Sequence, residues 1–341
     1  MIKQLFLALF FSISAFCAEK VINYQGSNGS LPKEKKISEV FFLMAHNAGT
    51  EDLLYSQQSK NIENLAKIGV RGFKIPMHLY SKKGLVGKAL QITGLKKSSS
   101  EKPYIALCHE TTSGNNCSGT IALRKGHSPK EMKAVFKELA NVINKYKKEV
   151  FIVRLDSSIF GKNKTKNNGA DTLSDNDIMS MFNKDLEESG LAKYAYKFLE
   201  NKVPSLDEMR QSDKRLIIIQ DENNRPDSPY TNQKKLVLLQ SKWSDAKRKD
   251  CPVDGLLTSP LFEVNINFEY SFNKDSFTQK LTSKIINKTS KDYNDVNSMT
   301  KSFERFEECK KSAKRVPNII ASDFVHKGNL IDLIDYLNNT Y

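Results

Sequence analysis

The chain lacks a hydrophobic segment of the length that a membrane-spanning helix needs. Such a helix takes roughly 20 apolar residues, and the longest apolar run, Leu5 to Phe16, falls short of that length. The C-terminus ends in the polar residues Asn338, Asn339 and Thr340 and shows no hydrophobic anchor tail. We therefore expect the mature protein to be soluble.

Cysteine is also scarce: the chain has 5, and none of them form a CxxC pair. Without that spacing, a zinc site is the weaker interpretation. Four cysteines follow the N-terminal segment, and an even count in an oxidising compartment predicts two disulfides, for which three pairings exist. Because Cys108 and Cys117 would close a short loop rich in Gly, Asn and Ser, we expect the pairs Cys108–Cys117 and Cys251–Cys309.

Residues 1–18 have the composition of a secretory signal peptide. Lys3 precedes the apolar run, and small residues near Ala18 follow it. We expect this segment to be removed, which predicts a secreted or periplasmic protein. Phe16 stands where a lipoprotein signal requires a small residue, so lipidation of Cys17 is disfavoured.

Acidic residues are outnumbered by basic ones. The chain has 53 Lys and Arg against 39 Asp and Glu, a net charge of +14 at pH 7. Such a surface favours polyanions, and export makes peripheral contact with an anionic membrane surface more plausible than binding of nucleic acid. Residues 19–341 have an ordinary length for one α/β barrel. We expect a single domain and make no prediction of its oligomeric state.

Short β-rich segments alternate with helical patterns, which predicts βα units and a parallel sheet. This alternation places the chain in the α/β class, as a (β/α)8 TIM-type barrel with regular or distorted geometry. Eight strands are expected and six can be named: Val40–Ala45, Gly69–Ile75, Tyr104–Cys108, Val150–Leu155, Leu216–Ile219 and Ile319–Val325.

Three helices carry clear signals. In the first, Ser128 is a predicted N-cap, Pro129 the first helical residue and Glu131 the partner that completes a capping box. Ser205 and Glu208 form a second predicted capping box. The last helix is expected to bury four residues: Leu330, Leu333, Ile334 and Leu337.

Three predicted strands end in residues that can bind or transfer a proton: His46, His109 and Asp323. The carboxyl ends of barrel strands form the open face where catalytic groups lie. Two histidines and an aspartate there match what an acid–base pair needs on either side of a scissile bond. The remaining histidines lack this placement and are predicted to be surface residues: His78, His127 and His326.

The order of these landmarks resembles the phosphatidylinositol-specific phospholipase C X-domain superfamily. The matching segments span nearly the whole mature chain: His46-Asn47, Gly69–Phe73, Leu107–His109, Glu149–Asp156, Val203–Met209 and Asn318–Phe324. The resemblance implies a phosphoric diester hydrolase or lyase that acts on phosphatidylinositol or a related phospholipid or glycolipid.

The resemblance also implies roles for three residues. His46 would take the proton from the inositol 2-hydroxyl, which attacks phosphorus and forms a cyclic phosphodiester. His109 would protonate the departing diacylglycerol oxygen. Asp323 would hold the other nitrogen of His46, which raises the basicity of His46 and fixes its tautomer.

Two departures from the family pattern concern the second strand. Calcium-dependent members have acidic ligands where this chain has Lys74 and Pro76, so we predict no metal and no cofactor, although Asn47 and Asp156 match other ligand positions. Metal-independent bacterial members use an arginine where this chain has Pro76. Strand alternation turns Lys74 to the same side. We expect Lys74, together with Arg154, to stabilise the phosphoryl transition state.

The predicted substrate-binding residues are therefore Asn47, Lys74, Arg154 and Asp156. Three alternatives stay open. Lys74 and Asp156 could form an ion pair that only fills a layer of the barrel. The protein could be a sphingolipid or glycerophosphodiester phosphodiesterase, although such relatives normally need a metal held by acidic residues of the second strand. It could also be a catalytically inactive barrel that binds anionic lipid or a partner protein.

Overall fold

A computed structural model describes residues 28–50, 58–80, 102–108, 129–157, 159–160, 173–199, 202–221, 226–241, 251–266 and 293–341. The strands are β1 (Phe42–Ala45), β2 (Gly72–Tyr80), β3 (Tyr104–Leu107), β4 (Phe151–Ser157), β5 (Ala195–Tyr196), β6 (Leu216–Gln220), β7 (Asn232–Gln233), β8 (Leu238–Ser241), β9 (Val253–Asp254), β10 (Leu261–Asn265) and β11 (Ile319–Ser322). The α-helices are α1 (Ile62–Lys67), α2 (Met132–Lys145), α3 (Asp175–Glu188), α4 (Leu206–Gln211), α5 (Lys234–Val237), α6 (Met299–Ala313) and α7 (Leu330–Thr340).

The 11 strands of the described ranges belong to one sheet, in the order β5-β6-β4-β2-β1-β11-β10-β8-β9, with β3 paired to β2 and β7 to β6. The central pairings are parallel, because helices connect most successive strands. No helix in the described part of the chain is long and apolar enough to cross a membrane.

The sheet is curled into a barrel. Arg154 on β4 donates a hydrogen bond to Glu263 on β10, although β2, β1 and β11 lie between these two strands. In a flat sheet four strand spacings would separate β4 and β10 by about 19 Å, beyond the reach of the side chains. Over the described ranges, no strand pairing joins β8 to β6 or β7. The predicted TIM-type barrel is thus confirmed, in a distorted form.

The two faces of each strand pack differently, as alternation requires. Leu43, Phe73 and Val153 face outward and belong to the apolar cluster that contains the buried residues of the surrounding helices. Met44 and Ile152 face inward and belong to the cluster that fills the lower barrel. Polar side chains replace this apolar filling toward the carboxyl ends of the strands, where the candidate site lies.

The direction of the third predicted strand differs from the parallel order that was expected. β3 runs antiparallel to β2, with Met77 opposite Leu107 and Tyr80 opposite Tyr104. The reason is that β1 is short and pairs only with Gly72 and Phe73 of β2. The rest of that edge of β2 is open for β3, since β4 occupies the other edge.

The signals of the last helix were correct, the second predicted capping box is present in its Ser205 half, and the start of the first predicted helix is shifted. Ser205 caps α4 by accepting a hydrogen bond from the Glu208 amide, and α7 buries its four predicted residues. The helix predicted to begin at Pro129 begins instead at Met132. Lys130 is held outside it, because its carbonyl oxygen accepts the Leu107 amide of β3 at 2.8 Å. Ser128 lies outside the described residues.

One of the two predicted disulfides is confirmed. Cys251 and Cys309 are bonded, with their Cα atoms 5.0 Å apart, and they connect the segment before β9 to α6. Cys108 is buried directly after β3 and is also disulfide-bonded. Its predicted partner, Cys117, lies outside the described residues.

Candidate active site

The first and last strands of the barrel bring His46 and Asp323 together. β1 and β11 are parallel neighbours, with Ala45 opposite Ser322, so the next residue of each strand reaches the barrel mouth at the same level. The backbone amide of His46 donates to the Ser322 carbonyl at 3.0 Å. The His46 Nδ1 atom lies 2.8 Å from Asp323 Oδ1. The contact expected between these two residues is present.

This contact determines which nitrogen of His46 can accept a proton. Burial lowers the pKa of His46 below its ordinary value, and Lys74 lowers it further, while Asp323 opposes both effects. The imidazole is therefore neutral at pH 7. Because a carboxylate can only accept, the proton lies on Nδ1 and the lone pair lies on Nε2. An imidazole in this state can serve as a general base.

Asp323 is held by a helical turn that sequence reasoning did not identify. Tyr293 Oη donates to Asp323 Oδ2 at 3.0 Å. Asn297 Nδ2 donates to the carbonyl oxygens of Asp323 at 2.9 Å and Phe324 at 3.1 Å. The only sequence signal for this support is the four-residue spacing of Tyr293 and Asn297, which puts both on one side of a helical turn.

Gln58 ties the ends of the two strands to each other. Its Nε2 donates to the carbonyl oxygens of His46 at 3.0 Å and Ser322 at 3.1 Å. Its Oε1 accepts the amide of Val325 at 3.3 Å. The backbone around His46 and Asp323 is thus fixed by a buried amide as well as by sheet hydrogen bonds.

Lys74 and Asp156 form an ion pair beside His46. β2 and β4 are in register with Pro76 opposite Asp156, and Lys74 Nζ lies 3.0 Å from Asp156 Oδ2. The Lys74 side chain is 5% exposed, whereas that of Asp156 is 45% exposed. Burial alone would raise the pKa of the Asp156 carboxyl, but Lys74 and Arg154 hold it well below its ordinary value. The Asp156 carboxyl is therefore ionised at neutral pH.

Arg154 lies two residues before Asp156 on β4, opposite Lys74 of β2. Its Nε donates to Asp221 Oδ1 at 2.8 Å and its Nη2 to Asp221 Oδ2 at 2.6 Å, while Nη1 binds Glu263. The side chain is 2% exposed. Burial opposes the charged form, but Asp221 and Glu263 outweigh it and raise the pKa of Arg154 above its ordinary value. These contacts do not favour direct binding of substrate by Arg154.

Asn47 and His109 complete the predicted site. Asn47 follows His46 in a left-handed conformation, with φ of 51°, which asparagine tolerates better than most residues. It is 2% exposed, and its carbonyl oxygen accepts Thr50 Oγ1 at 2.6 Å. His109 lies outside the described residues. Cys108, the residue before it, donates its amide to Pro76 O at 3.4 Å.

The histidines predicted to lie on the surface behave differently from one another. His78 is 4% exposed on β2, opposite Ala106, so that prediction was wrong. The reason is that β2 continues past its predicted end at Ile75 and is covered where it pairs with β3. His326 is partly buried, and His127 lies outside the described residues.

The donor set at this mouth does not suit calcium. Calcium binds six to eight oxygen ligands, but the carboxylate of Asp156 already pairs with the ammonium of Lys74. A fixed cation in that position repels a second one. Among the described residues, no three His, Cys, Asp or Glu side chains are grouped closely enough to hold a metal ion. Calcium independence remains a prediction.

Comparisons with known proteins point to one family. The family model described as PI-PLC X 1 matches residues 171–338, a segment that contains Tyr293, Asn297 and Asp323 and follows His46 and Lys74. No curated protein matches the chain.

The chain is also similar to solved structures. A phosphatidylinositol-specific phospholipase C from S. aureus, studied for modulation of its membrane binding, is 12% identical with a TM-score of 0.51, over 94% of this chain and 98% of that chain. The phosphatidylinositol-specific phospholipase C from Listeria monocytogenes is 12% identical with a TM-score of 0.47, over 94% of this chain and 100% of that chain. At such identities the likeness concerns the fold. The resemblance predicted from the sequence is confirmed: this chain has a phospholipase C-like barrel and matches the phosphatidylinositol-specific phospholipase C X-domain family.

Proposed function

We propose that the protein is a secreted phosphodiesterase that cleaves the glycerophosphate bond of phosphatidylinositol or a related phospholipid or glycolipid. The observation that supports this most directly is the contact of His46 Nδ1 with Asp323 Oδ1, beside the Lys74–Asp156 ion pair at the barrel mouth. This combination provides a base for a hydroxyl group and a positive charge for a phosphate.

The reaction proceeds by attack of a hydroxyl group within the substrate. His46 Nε2 takes the proton from the 2-hydroxyl, and the oxygen forms a bond to phosphorus. The bond between phosphorus and the glycerol oxygen breaks, and His109 gives that oxygen a proton. The products are a cyclic phosphodiester and diacylglycerol. The imidazolium formed at His46 is stabilised by Asp323 in the same way as in serine hydrolases.

Lys74 supplies the charge that opposes the negative charge gathering on the phosphoryl oxygens. Its side chain is 5% exposed, so its interaction with a bound phosphate is screened less than it would be at a surface. The ion pair with Asp156 holds the ammonium in place before substrate arrives, which avoids reorganisation during the reaction. In this scheme Arg154 is held by Asp221 and Glu263 and has a structural role, and Lys74 faces the phosphate.

Membrane contact and export are part of the same proposal. The net charge of +14 favours adsorption to an anionic lipid surface, where the substrate resides. The signal-like composition of residues 1–18 and the Cys251–Cys309 disulfide both fit an oxidising compartment outside the cytoplasm.

The test is a lipid cleavage assay in excess chelator. Purified protein is incubated with vesicles that contain phosphatidylinositol, sphingomyelin or lysophosphatidylcholine, and the soluble products are identified by ³¹P NMR. We expect a cyclic inositol phosphate from the first vesicles, loss of that product in His46→Gln, and retention of it in the control His326→Gln. Vesicle binding without product would support the inactive-barrel alternative. Product from the other two lipids would support the alternative substrates.

A further inference from the structure

Among the hydrogen bonds described above, Asp323 is the one proposed catalytic residue that the helical turn of Tyr293 and Asn297 contacts. The comparisons with solved structures assign this turn no role. We propose that Tyr293 is a positioning residue that sets the basicity of His46 by donating a hydrogen bond to Asp323, while Asn297 holds the turn that carries this carboxylate. This inference rests on the function proposed above, because it concerns the same base.

The contacts form a continuous chain from Tyr293 to the imidazole of His46. Tyr293 Oη donates to Asp323 Oδ2 at 3.0 Å, and the other carboxylate oxygen, Oδ1, accepts His46 Nδ1 at 2.8 Å. Each carboxylate oxygen thus has its own donor, which fixes the plane of the carboxylate. The tyrosine is 4% exposed, and its ring packs on Phe324 at a centroid distance of 4.9 Å.

The backbone around Asp323 is fixed from the same turn. Asn297 lies four residues after Tyr293, and its amide donates to the Tyr293 carbonyl at 2.9 Å. Its side-chain oxygen accepts Ser322 Oγ at 2.7 Å, while its side-chain nitrogen donates to the carbonyl oxygens of Asp323 and Phe324. Asn297 is fully buried. Its three side-chain hydrogen bonds to consecutive residues fix the backbone at the end of β11.

The hydrogen bond from Tyr293 affects the pKa of His46 through the negative charge of Asp323. A hydrogen bond from Tyr293 stabilises the negative charge of Asp323 and reduces its pull on the proton of His46. The other charged groups that act on His46 are Lys74 on β2, which lowers its pKa, and Asp156 on β4, which raises it. Removing the tyrosine hydroxyl leaves these two unchanged. The Asp323 carboxylate then attracts a protonated imidazole more strongly, so the pKa of His46 must rise.

The experiment compares Tyr293→Phe with Tyr230→Phe in the full chain. Both substitutions remove a tyrosine hydroxyl that donates to a carboxylate, because Tyr230 Oη donates to Glu187 at 2.6 Å on the outer helix α3. The pKa of His46 is measured by NMR titration of ¹⁵N-labelled imidazoles, with His46→Gln used to assign the signal. We expect an upward shift in Tyr293→Phe and no shift in Tyr230→Phe.

The same variants are then assayed for release of cyclic inositol phosphate as a function of pH. We expect kcat/KM of Tyr293→Phe to fall by about tenfold near neutral pH, the loss of one hydrogen bond to a charged group, with its acid limb displaced to higher pH. An unchanged pKa of His46 in a folded Tyr293→Phe protein would overturn the inference. An inactive wild-type protein would refute the proposed function. The titration needs no turnover, so it would still decide whether Tyr293 sets the pKa of His46.

Discussion

Replacement of Lys74 by methionine separates an electrostatic role for Lys74 from a purely structural one. Methionine keeps most of the buried length of the side chain and removes the charge. A unit charge about 4 Å from another is worth about 4 kcal/mol at an effective dielectric constant of 20, and loss of one preorganised group that stabilises a transition state costs on the order of 10²–10³ in kcat. We expect a fall in kcat within that range for Lys74→Met.

The matched control is Asp156→Asn, which breaks the same 3.0 Å ion pair and leaves the cation in place. If the pair only fills a layer of the barrel, both variants lose stability and activity to a similar extent. If Lys74 acts on the phosphate, Asp156→Asn keeps far more activity than Lys74→Met. Lys74→Arg should recover part of the rate, because it restores the charge with a different hydrogen-bonding geometry.

The assay measures cyclic inositol phosphate release under saturating lipid, with thermal melts to confirm folding of each variant. Loss of the Lys74 charge also removes one influence that lowers the pKa of His46, so rates are compared on the pH-independent plateau. A Lys74→Met protein with wild-type kcat would refute the electrostatic argument. So would an Asp156→Asn protein as inactive as Lys74→Met.

Three further predictions follow from the site and the fold. Since His46 must be unprotonated and burial lowers its pKa, kcat/KM should rise with pH and reach half its maximum below about pH 6.5, the ordinary histidine value; a midpoint above that pH would contradict the assignment. Excess EDTA should leave the rate unchanged, and a rate restored by added calcium would show that the role assigned to Lys74 is wrong. The double substitution Cys251→Ala/Cys309→Ala opens a link across 58 residues and should lower the free energy of unfolding by about 4 kcal/mol in the chain-entropy model, measured by urea denaturation; an unchanged midpoint would contradict it.

Strand-end reasoning located part of this site, because the end of a buried strand is visible in sequence. His46 and Asp323 each follow a run of apolar residues, and β1 and β11 are neighbours in the sheet. Strand alternation also predicted that Lys74 turns into the barrel mouth, where it pairs with Asp156 and acts on His46. These inferences succeed because the alternation of side chains along a strand and the residue at which an apolar run ends are local properties that the sequence carries.

Other parts of the fold depend on contacts that no local pattern encodes. β8 and β10 were not predicted, because the inward-facing residues Gln240, Glu263 and Asn265 interrupt their apolar character. The antiparallel direction of β3 depends on the short length of β1. The support of Asp323 by Tyr293 joins residues 30 positions apart, and the tyrosine has no composition signal that separates it from an ordinary core aromatic.

The pairing of β1 with β11 has a consequence for biosynthesis. His46 and Asp323 are 277 residues apart in sequence, so a ribosome must finish nearly the whole polypeptide before the two can meet. Contacts of such large sequence separation also close late in folding, because the entropy of a long loop must be overcome first. The base and its carboxylate are therefore assembled only in the completed chain, and a nascent or prematurely terminated product carries a histidine without its orienting partner.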